Sequence, residues 1–498
     1  MAVNTNEKVR RKILTGNLWS VVLSVTLPLF LYQLINSVYS VVDALMLVKI
    51  DTAASSAGAI LAQVKTLLSS FGSGISAGGA ILIAKYYGAG DIKKAKKYTN
   101  VTFAWELIII VLSLLIFLPL AEPIMRLTGC NDELVKIAHN YFRLQIVELC
   151  IININSVFIA IQKSKGKTRI ILISNIIMMA IKLGLNALLI YGFKVDDMTW
   201  IEVASVLSQL FMLVLGSFYL FNKNAIFRIE LKELTLDWKY SKKLLIISLP
   251  MFAGKFVISL GKVAVNSICS TFIEGDSLLV GALGISNNLS GLVTNPTVAL
   301  EDSESGIVSQ NLGNKNMKRT FKVMLISLCY VTIWSTIGFL LVRVFYLDEF
   351  AALFISTKQG NEASSIIFAE LIKKIFYYDC LSIPALTINA VVLGVLYGYG
   401  QTFLATLNNV IRIVTRISVL LICKSVMDTS NLDNAATAAG LSMGISNIVI
   451  AIFAIVMFII FFFKVKAKGF KGMKLTDSEP EMIEVDGILV RKDSIKEA

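Results

Sequence analysis

The sequence predicts an all-α membrane protein of twelve transmembrane helices in two six-helix lobes, on three observations. Of its 498 residues 56% are hydrophobic and only 16% charged, with a mean hydropathy of +0.73, too apolar for a soluble enzyme of this length. Apolar runs recur at about 18–48, 57–84, 99–120, 134–161, 169–191, 200–221, 244–270, 278–311, 323–346, 370–398, 403–424 and 437–464, each near or above the ~20 residues a crossing helix needs. The chain also repeats. TLPLFLYQLINSVYSVVDALM from Thr26 aligns with SLPMFAGKFVISLGKVAVNSI from Ser248, pairing Pro28 with Pro250. KYYGAGDIKKAKKY after the second run answers QNLGNKNMKRTFKV after the eighth, and SKGKTRI answers the GYGQT stretch with its following helix. The lobes are 18–221 and 244–464, joined by a linker at 222–243, between tails at 1–17 and 465–498.

The runs are continuous, so they are helices; strands of a barrel would alternate over roughly ten residues. The first run is too long for a cleavable leader and no small-residue cleavage site follows it, so it is expected to be retained. Lys and Arg crowd alternate loops, at 1–17, 85–98, 162–169, 222–243, 312–322 and 464–498, while the intervening loops carry only Lys49, Arg126, Lys194 and Lys358. This bias places both termini in the cytoplasm of a multi-pass cell-membrane protein. It also accounts for the +13 net charge without nucleic acid. The basic part of the tail is expected along anionic lipid and its last residues disordered.

Six scattered cysteines (130, 150, 269, 329, 380 and 423) and a single histidine, His139, show no metal-ligand or triad spacing, so no metal, no cofactor and no catalytic residue is expected. The glycines and lysines of the basic loops lack a preceding strand and the GxxxxGK[ST] pattern, and read as tight turns.

Charge inside the spans points to function. In span one, helical spacing aligns Asn36, Ser40 and Asp43 as a polar stripe. In span five Lys182 and Asn186 stand at similar depth, so Asp43 and Lys182 are paired, with Asn186 and Ser40 orienting the carboxylate. Span eight carries Glu301, Asp302 and Glu304, either a helix end rising from the membrane or a buried site. By depth, Lys255 is matched with Glu301 or Glu304, and Lys262 with Asp379, as a second-lobe charge network; Glu106 and Glu148 have no evident partner.

The two TLP openings, Asp43, KYYGAGDIKKAKKY, GKTRIILISNIIMMAIKLGLNALLIYG, SQNLGNKNMKR and the GYGQT loop with Arg412 behind it resemble the multidrug and toxic compound extrusion (MATE) transporters of the multidrug/oligosaccharidyl-lipid/polysaccharide flippase superfamily, over about residues 15–465. The resemblance implies an antiporter, not an enzyme, that exports organic cations such as drugs or metabolites in exchange for protons or sodium, working as a monomer among membrane lipids. Asp43 would be the coupling acid. Lys182 stands where the family commonly has an asparagine, which disfavours an inherited sodium site. The alternative within the superfamily is a flippase for a lipid-linked saccharide, to which the intramembrane lysines would present positive charge.

The topology is tested by single-cysteine labelling from outside. Label is expected at positions 53 and 196 and not at 93 and 317; the reverse pattern overturns it.

Overall fold

The computed structural model describes residues 2–50, 52–127, 132–195, 197–222, 225–272, 278–341, 343, 348, 362–468, 482–485 and 488–491; the side chains of 40–50 are outside that description. A short helix α1 (Ala2–Thr15) precedes α2 (Leu18–Ile50), α3 (Thr52–Gly88) and α4 (Ile92–Phe117). The short α5 (Ala121–Leu127) leads to α6 (Asp132–Lys165), α7 (Thr168–Ala187), which ends in a π-turn at Leu188–Gly192, and α8 (Thr199–Phe221). The second half holds α9 (Trp238–Ser270), α10 (Leu278–Gly313), α11 (Met317–Leu340), α12 (Glu362–Asp379), α13 (Ile383–Gly398), α14 (Thr402–Val426) and α15 (Leu432–Lys468). A three-residue 3₁₀ turn, Cys380–Ser382, joins α12 to α13 into one broken span.

Among the described residues eleven helical spans are long and apolar enough to cross a membrane. The twelfth member of the bundle is α10, whose Glu301, Asp302, Glu304 and several asparagines make it too polar to stand out. It is nevertheless enclosed on many sides, against α2, α3, α11, α12 and α13. Polarity here reflects position: α10 is shielded from lipid by its neighbours, so it need not be apolar.

The internal repeat is visible atom by atom at the helix ends. After α3, Gly90 takes φ +81° and the amides of Gly90 and Asp91 return to the carbonyls of Tyr87 and Tyr86. After α10, Lys315 takes φ +57° and the amides of Lys315 and Asn316 return to Leu312 and Asn311. Both are Schellman endings. In each case the next residue caps the following helix, Asp91 accepting from the Lys94 amide at 2.9 Å and Asn316 from that of Arg319 at 3.1 Å. Gly166 before α7 and Gly400 before α14 repeat the Schellman ending at φ +74° and +75°, without the side-chain cap. Pro28 lies inside α2 and Pro250 inside α9, and the Thr406 hydroxyl donates to the Pro250 carbonyl.

The two halves meet along α2 and α3 on one side and α9 and α10 on the other. Their tightest approach is a reciprocal crossing near the basic loops. A Cβ on Gly88 would overlap the Gln310 carbonyl, and one on Gly313 would overlap the Lys85 carbonyl. Gly88 and Gly313 are repeat partners, and so are Lys85 and Gln310, so the contact obeys the pseudo-two-fold axis relating the halves.

Three segments outside the spans are also ordered. Residues 2–15 form a helix wedged under both halves: the Arg10 guanidinium donates to the Gly88 carbonyl at 3.3 Å, and the Arg319 guanidinium donates to the Ile13 carbonyl at 3.1 Å. Ile13 joins a buried cluster with Val21, Val308, Val323 and Val395. The linker docks too, with Phe227 edge-on to Tyr87 at 5.2 Å and Glu230 paired to Lys96 at 2.7 Å; that ammonium holds the Glu230 carboxyl below its usual range. In the tail, Met482–Val485 pairs antiparallel with Ile488–Arg491, where disorder was expected. The β-branched Ile and Val of MIEV and ILVR favour strand over coil.

Gly313→Val should lower the stability of the purified protein by about 3 kcal/mol or more, since backbone cannot move aside as a side chain can. Thermal unfolding in detergent measures it, with Gly184→Ala as control, because a methyl there meets nothing within 4 Å. Equal melting of the two variants would contradict the crossing.

Candidate functional site: a two-chambered cavity flanked by charge clusters

Two adjoining chambers lie in the bundle, one between the halves and one almost wholly within the second. One, of about 470 Å³, is lined by Tyr32, Gln33, Asn36 and Asn175 from the first half and by Met251, Asp302 and others from the second. The other, of about 440 Å³, lies in the second half and is lined by Asp379, Asn389, Asn409, Arg412 and Arg416 among others. Lys255, Val298, Glu301 and Tyr397 border both, so they form the passage between chambers. Volumes of this size suit a small organic molecule.

Below the first chamber the halves are tied together. Lys163 on α6 pairs with Asp302 on α10 at 2.5 Å, the Gln310 amide donates to the Ser164 carbonyl at 2.7 Å, and the hydroxyls of Thr26 and Ser303 bond at 2.6 Å. The cavity is therefore closed on the side of the basic loops.

The first half carries a buried charge cluster. Lys65 on α3 forms an ion pair with Glu148 on α6, and lies 3.7 Å from Glu202 on α8. Glu148 and Glu202 are within hydrogen-bond reach of each other, and Lys182 on α7 acts electrostatically on both. The Lys182 ammonium also stands 4.8 Å from the ring centre of Tyr39, so it points toward α2 one turn before position 43. The side chains of Ser40 and Asp43 lie outside the described residues. Asn36 lines the first chamber and accepts a hydrogen bond from Asn175 at 3.2 Å, while Asn186 is fully buried.

One expectation for this region is corrected: Glu148 is partnered, by Lys65, a lysine that the small-residue-rich span two concealed. Glu106, also buried, makes no ion pair within 4 Å among the described residues, as expected, and Lys255 acts on it only through space.

The second-half pairings drawn from depth are also corrected. Lys255 makes no ion pair within 4 Å among the described residues; it shares the passage with Glu301 and has Asp302 and Lys163 as further charged neighbours. Glu304 faces away from it. Its carboxylate sits against Gly394 of α13 and near Ser327 of α11. Lys262 does not pair with Asp379, and its charged neighbours are Arg412 and Arg416. Asp379 instead accepts from the Asn447 amide at 3.3 Å and lies near those two arginines. Depth specified each residue's height in the bundle but not the direction in which its helix presents it.

Removing the Lys65 charge by Lys65→Ala should cost about 3 kcal/mol, the low end for a buried pair, because a quarter of the lysine side chain stays exposed. The double variant Lys65→Ala/Glu148→Gln should recover at least about 1 kcal/mol of that loss. Chemical unfolding in detergent decides it, and strict additivity would deny the pair.

A family model described as MatE matches residues 28–188 and 250–422, both halves of the repeat. A protein of Shewanella oneidensis named FAD transporter is 23% identical over 361 residues, covering 71% of this chain and 78% of that protein. Another of Bacillus subtilis, named probable multidrug resistance protein YoeA, is 23% identical over 300 residues, 59% of this chain and 64% of that one. A solved structure of a multidrug resistance MATE family transporter of the MOP superfamily, in an outward-facing conformation, superposes with TM-score 0.82 at 16% identity, covering 92% of this chain and 98% of that one. A MOP superfamily transporter from Pyrococcus furiosus, described as having a binding pocket of reverse polarity that suggests a different function, superposes with TM-score 0.83 at 16% identity over 91% and 98%. With its two matched repeats and its cavity between halves, the chain belongs to the MatE family, as a membrane-embedded small-molecule transporter and not an enzyme.

Proposed function

We propose that this transporter is a proton-driven exporter of the cell membrane, with both termini cytoplasmic, that expels a small organic molecule through the two-chambered cavity. The observation that carries this reading is the cluster of Lys65, Glu148, Glu202 and Lys182. Two carboxyl groups within hydrogen-bond reach form that bond only if a proton lies between them. A cluster that already contains two tethered ammonium ions has less need of a free sodium ion, and Lys182 reaches toward the helix that carries Asp43. Protonation and release at Glu148 and Glu202, with Asp43 of α2 as a further acceptor, would change the charge that holds α3, α6, α7 and α8 together. That change is the coupling step.

The expectation of an organic cation as substrate draws no support from the lining. The first chamber presents Lys163 and Lys255 against Glu301 and Asp302, an even balance, and the second presents more cations than acids. The relatives differ as well, one being named for a flavin dinucleotide and another for drug resistance.

Transport in proteoliposomes under an imposed pH gradient or an imposed sodium gradient tests the reading, with one fluorescent organic cation and one fluorescent organic anion as cargo. Movement of at least one cargo should follow the pH gradient, ignore sodium, and fall at least about tenfold in Glu202→Gln. Sodium-driven movement indifferent to pH would overturn it, and so would facilitated transfer of a lipid-linked sugar with neither dye moved.

A further inference from the structure

The second chamber holds a concentration of positive charge that the transport cycle described above does not use. Arg412 and Arg416 stand one turn apart on α14, and Lys262 reaches the same space from α9. Arg416 is only 7% exposed, and its Nε has no hydrogen-bond partner. None of the three makes an ion pair within 4 Å among the described residues, although Asp379 lies near both arginines. One oxygen of the Asp379 carboxylate, Oδ1, accepts from Asn447 and Ser382, and the other makes no ion pair with either arginine within 4 Å. With Lys255, four cationic side chains face two carboxylates, Glu301 and Asp379, around one chamber.

A cluster of like charges inside a membrane protein is expensive unless something neutralises it. The protein could have relieved it with acids, as it does for Lys65 and Lys163, and here it does not. The guanidinium groups are suited to two-point recognition of a tetrahedral or planar oxyanion, and their flat faces and five donors keep that geometry where a lysine would not. The passage beside them is bordered by Tyr397, and the adjoining chamber supplies Tyr32 and methionines, surfaces that suit an aromatic or apolar body.

We propose that Lys262, Arg412 and Arg416 form an anion-binding subsite that holds the phosphate or carboxylate end of an organic anion, whose aromatic or apolar body extends through the Tyr397 passage into the first chamber. This rests on the reading of the chambers as the transport cavity, and it names the substrate class. The anionic end can belong to a soluble organic phosphate or to a phospholipid headgroup.

Equilibrium binding to the purified full-length protein tests it, with 1-naphthyl phosphate as the anionic probe and N,N,N-trimethyl-1-naphthylammonium as its charge-reversed counterpart. The phosphate should bind at least about tenfold more tightly than the ammonium, and its affinity should fall with added salt, as charge recognition requires. Arg412→Gln and Arg416→Gln should each weaken it about tenfold, Arg412→Lys should recover part of the loss, and Arg126→Gln, on the exposed face of α5, should change nothing. The salt series uses the native protein, so it remains decisive if an arginine variant misfolds. Phosphatidic acid nanodiscs that abolish naphthyl phosphate binding, where phosphatidylcholine nanodiscs do not, would assign the subsite to a lipid headgroup; equal binding in both assigns it to a soluble anion. Equal affinity for the two naphthyl probes, or indifference to both salt and Arg412→Gln, overturns the subsite. If pH-driven export of the cationic dye persists alongside that result, the subsite alone has failed and the exporter stands.

Discussion

The reciprocal crossing of α3 and α10 is the constraint on which the rest of the structure depends. Two backbones can touch there only because Gly88 and Gly313 lack side chains. Contact at that one level brings α2 against α10 and α3 against α9, and so decides which faces of the four central helices line the cavity. The symmetry of the contact comes from the repeat itself, since each glycine meets the carbonyl of the other's third predecessor. A close, side-chain-free contact resists separation yet permits rotation, because it has no interlocking ridges to strip past one another. That combination suits a pivot.

Much of this architecture was legible in the sequence. The Gly90 and Lys315 turns, with Asp91 and Asn316 behind them, are local devices in which a few adjacent residues specify the backbone, and aligning the halves revealed them. Helix number followed from hydropathy in the same way, α10 included as the run at 278–311, although its acids and asparagines make it the least apparent of the twelve. The wedge helix at 2–15 left only its basic residues as a trace, because its burial depends on packing against α2, α6 and α10, the last two distant in sequence.

The site was legible in kind but not in partnership. Acids and lysines inside apolar runs announced themselves, and several of them do line the cavity, Lys255, Lys262, Glu301 and Asp379 included, as does the polar Asn36. Which acid meets which lysine depends on the rotation of each helix about its axis, and one residue of phase error swings a side chain by about 100°. Hence Lys262 turned out to face arginines, and Glu304 to look toward α11 and α13. Glu202 was overlooked because it stands in the first turn of α8, where an acid is also a plain helix-start residue. Lys163 was assigned to a loop, yet its long stem carries the ammonium from the end of α6 to Asp302.

The way the cavity is sealed bears on how it can open. The seal combines one ion pair, Lys163 with Asp302, with neutral hydrogen bonds such as Thr26 to Ser303 and Gln310 to Ser164, and bonds of this type contribute only about 1 kcal/mol each on balance. Their sum is therefore a few kcal/mol. One unit of pH difference supplies about 1.4 kcal/mol per proton, and a charged ligand held by two or three hydrogen bonds supplies a similar or larger amount. A seal made of large interlocked apolar side chains would have to expose area at about 25 cal/mol per Å², which for several hundred Å² would exceed what a proton and a small ligand deliver together. The polar part of this closure thus lies within the free energy that a single proton or substrate event supplies, beside the apolar cluster of Val21, Val308, Val323 and Val395.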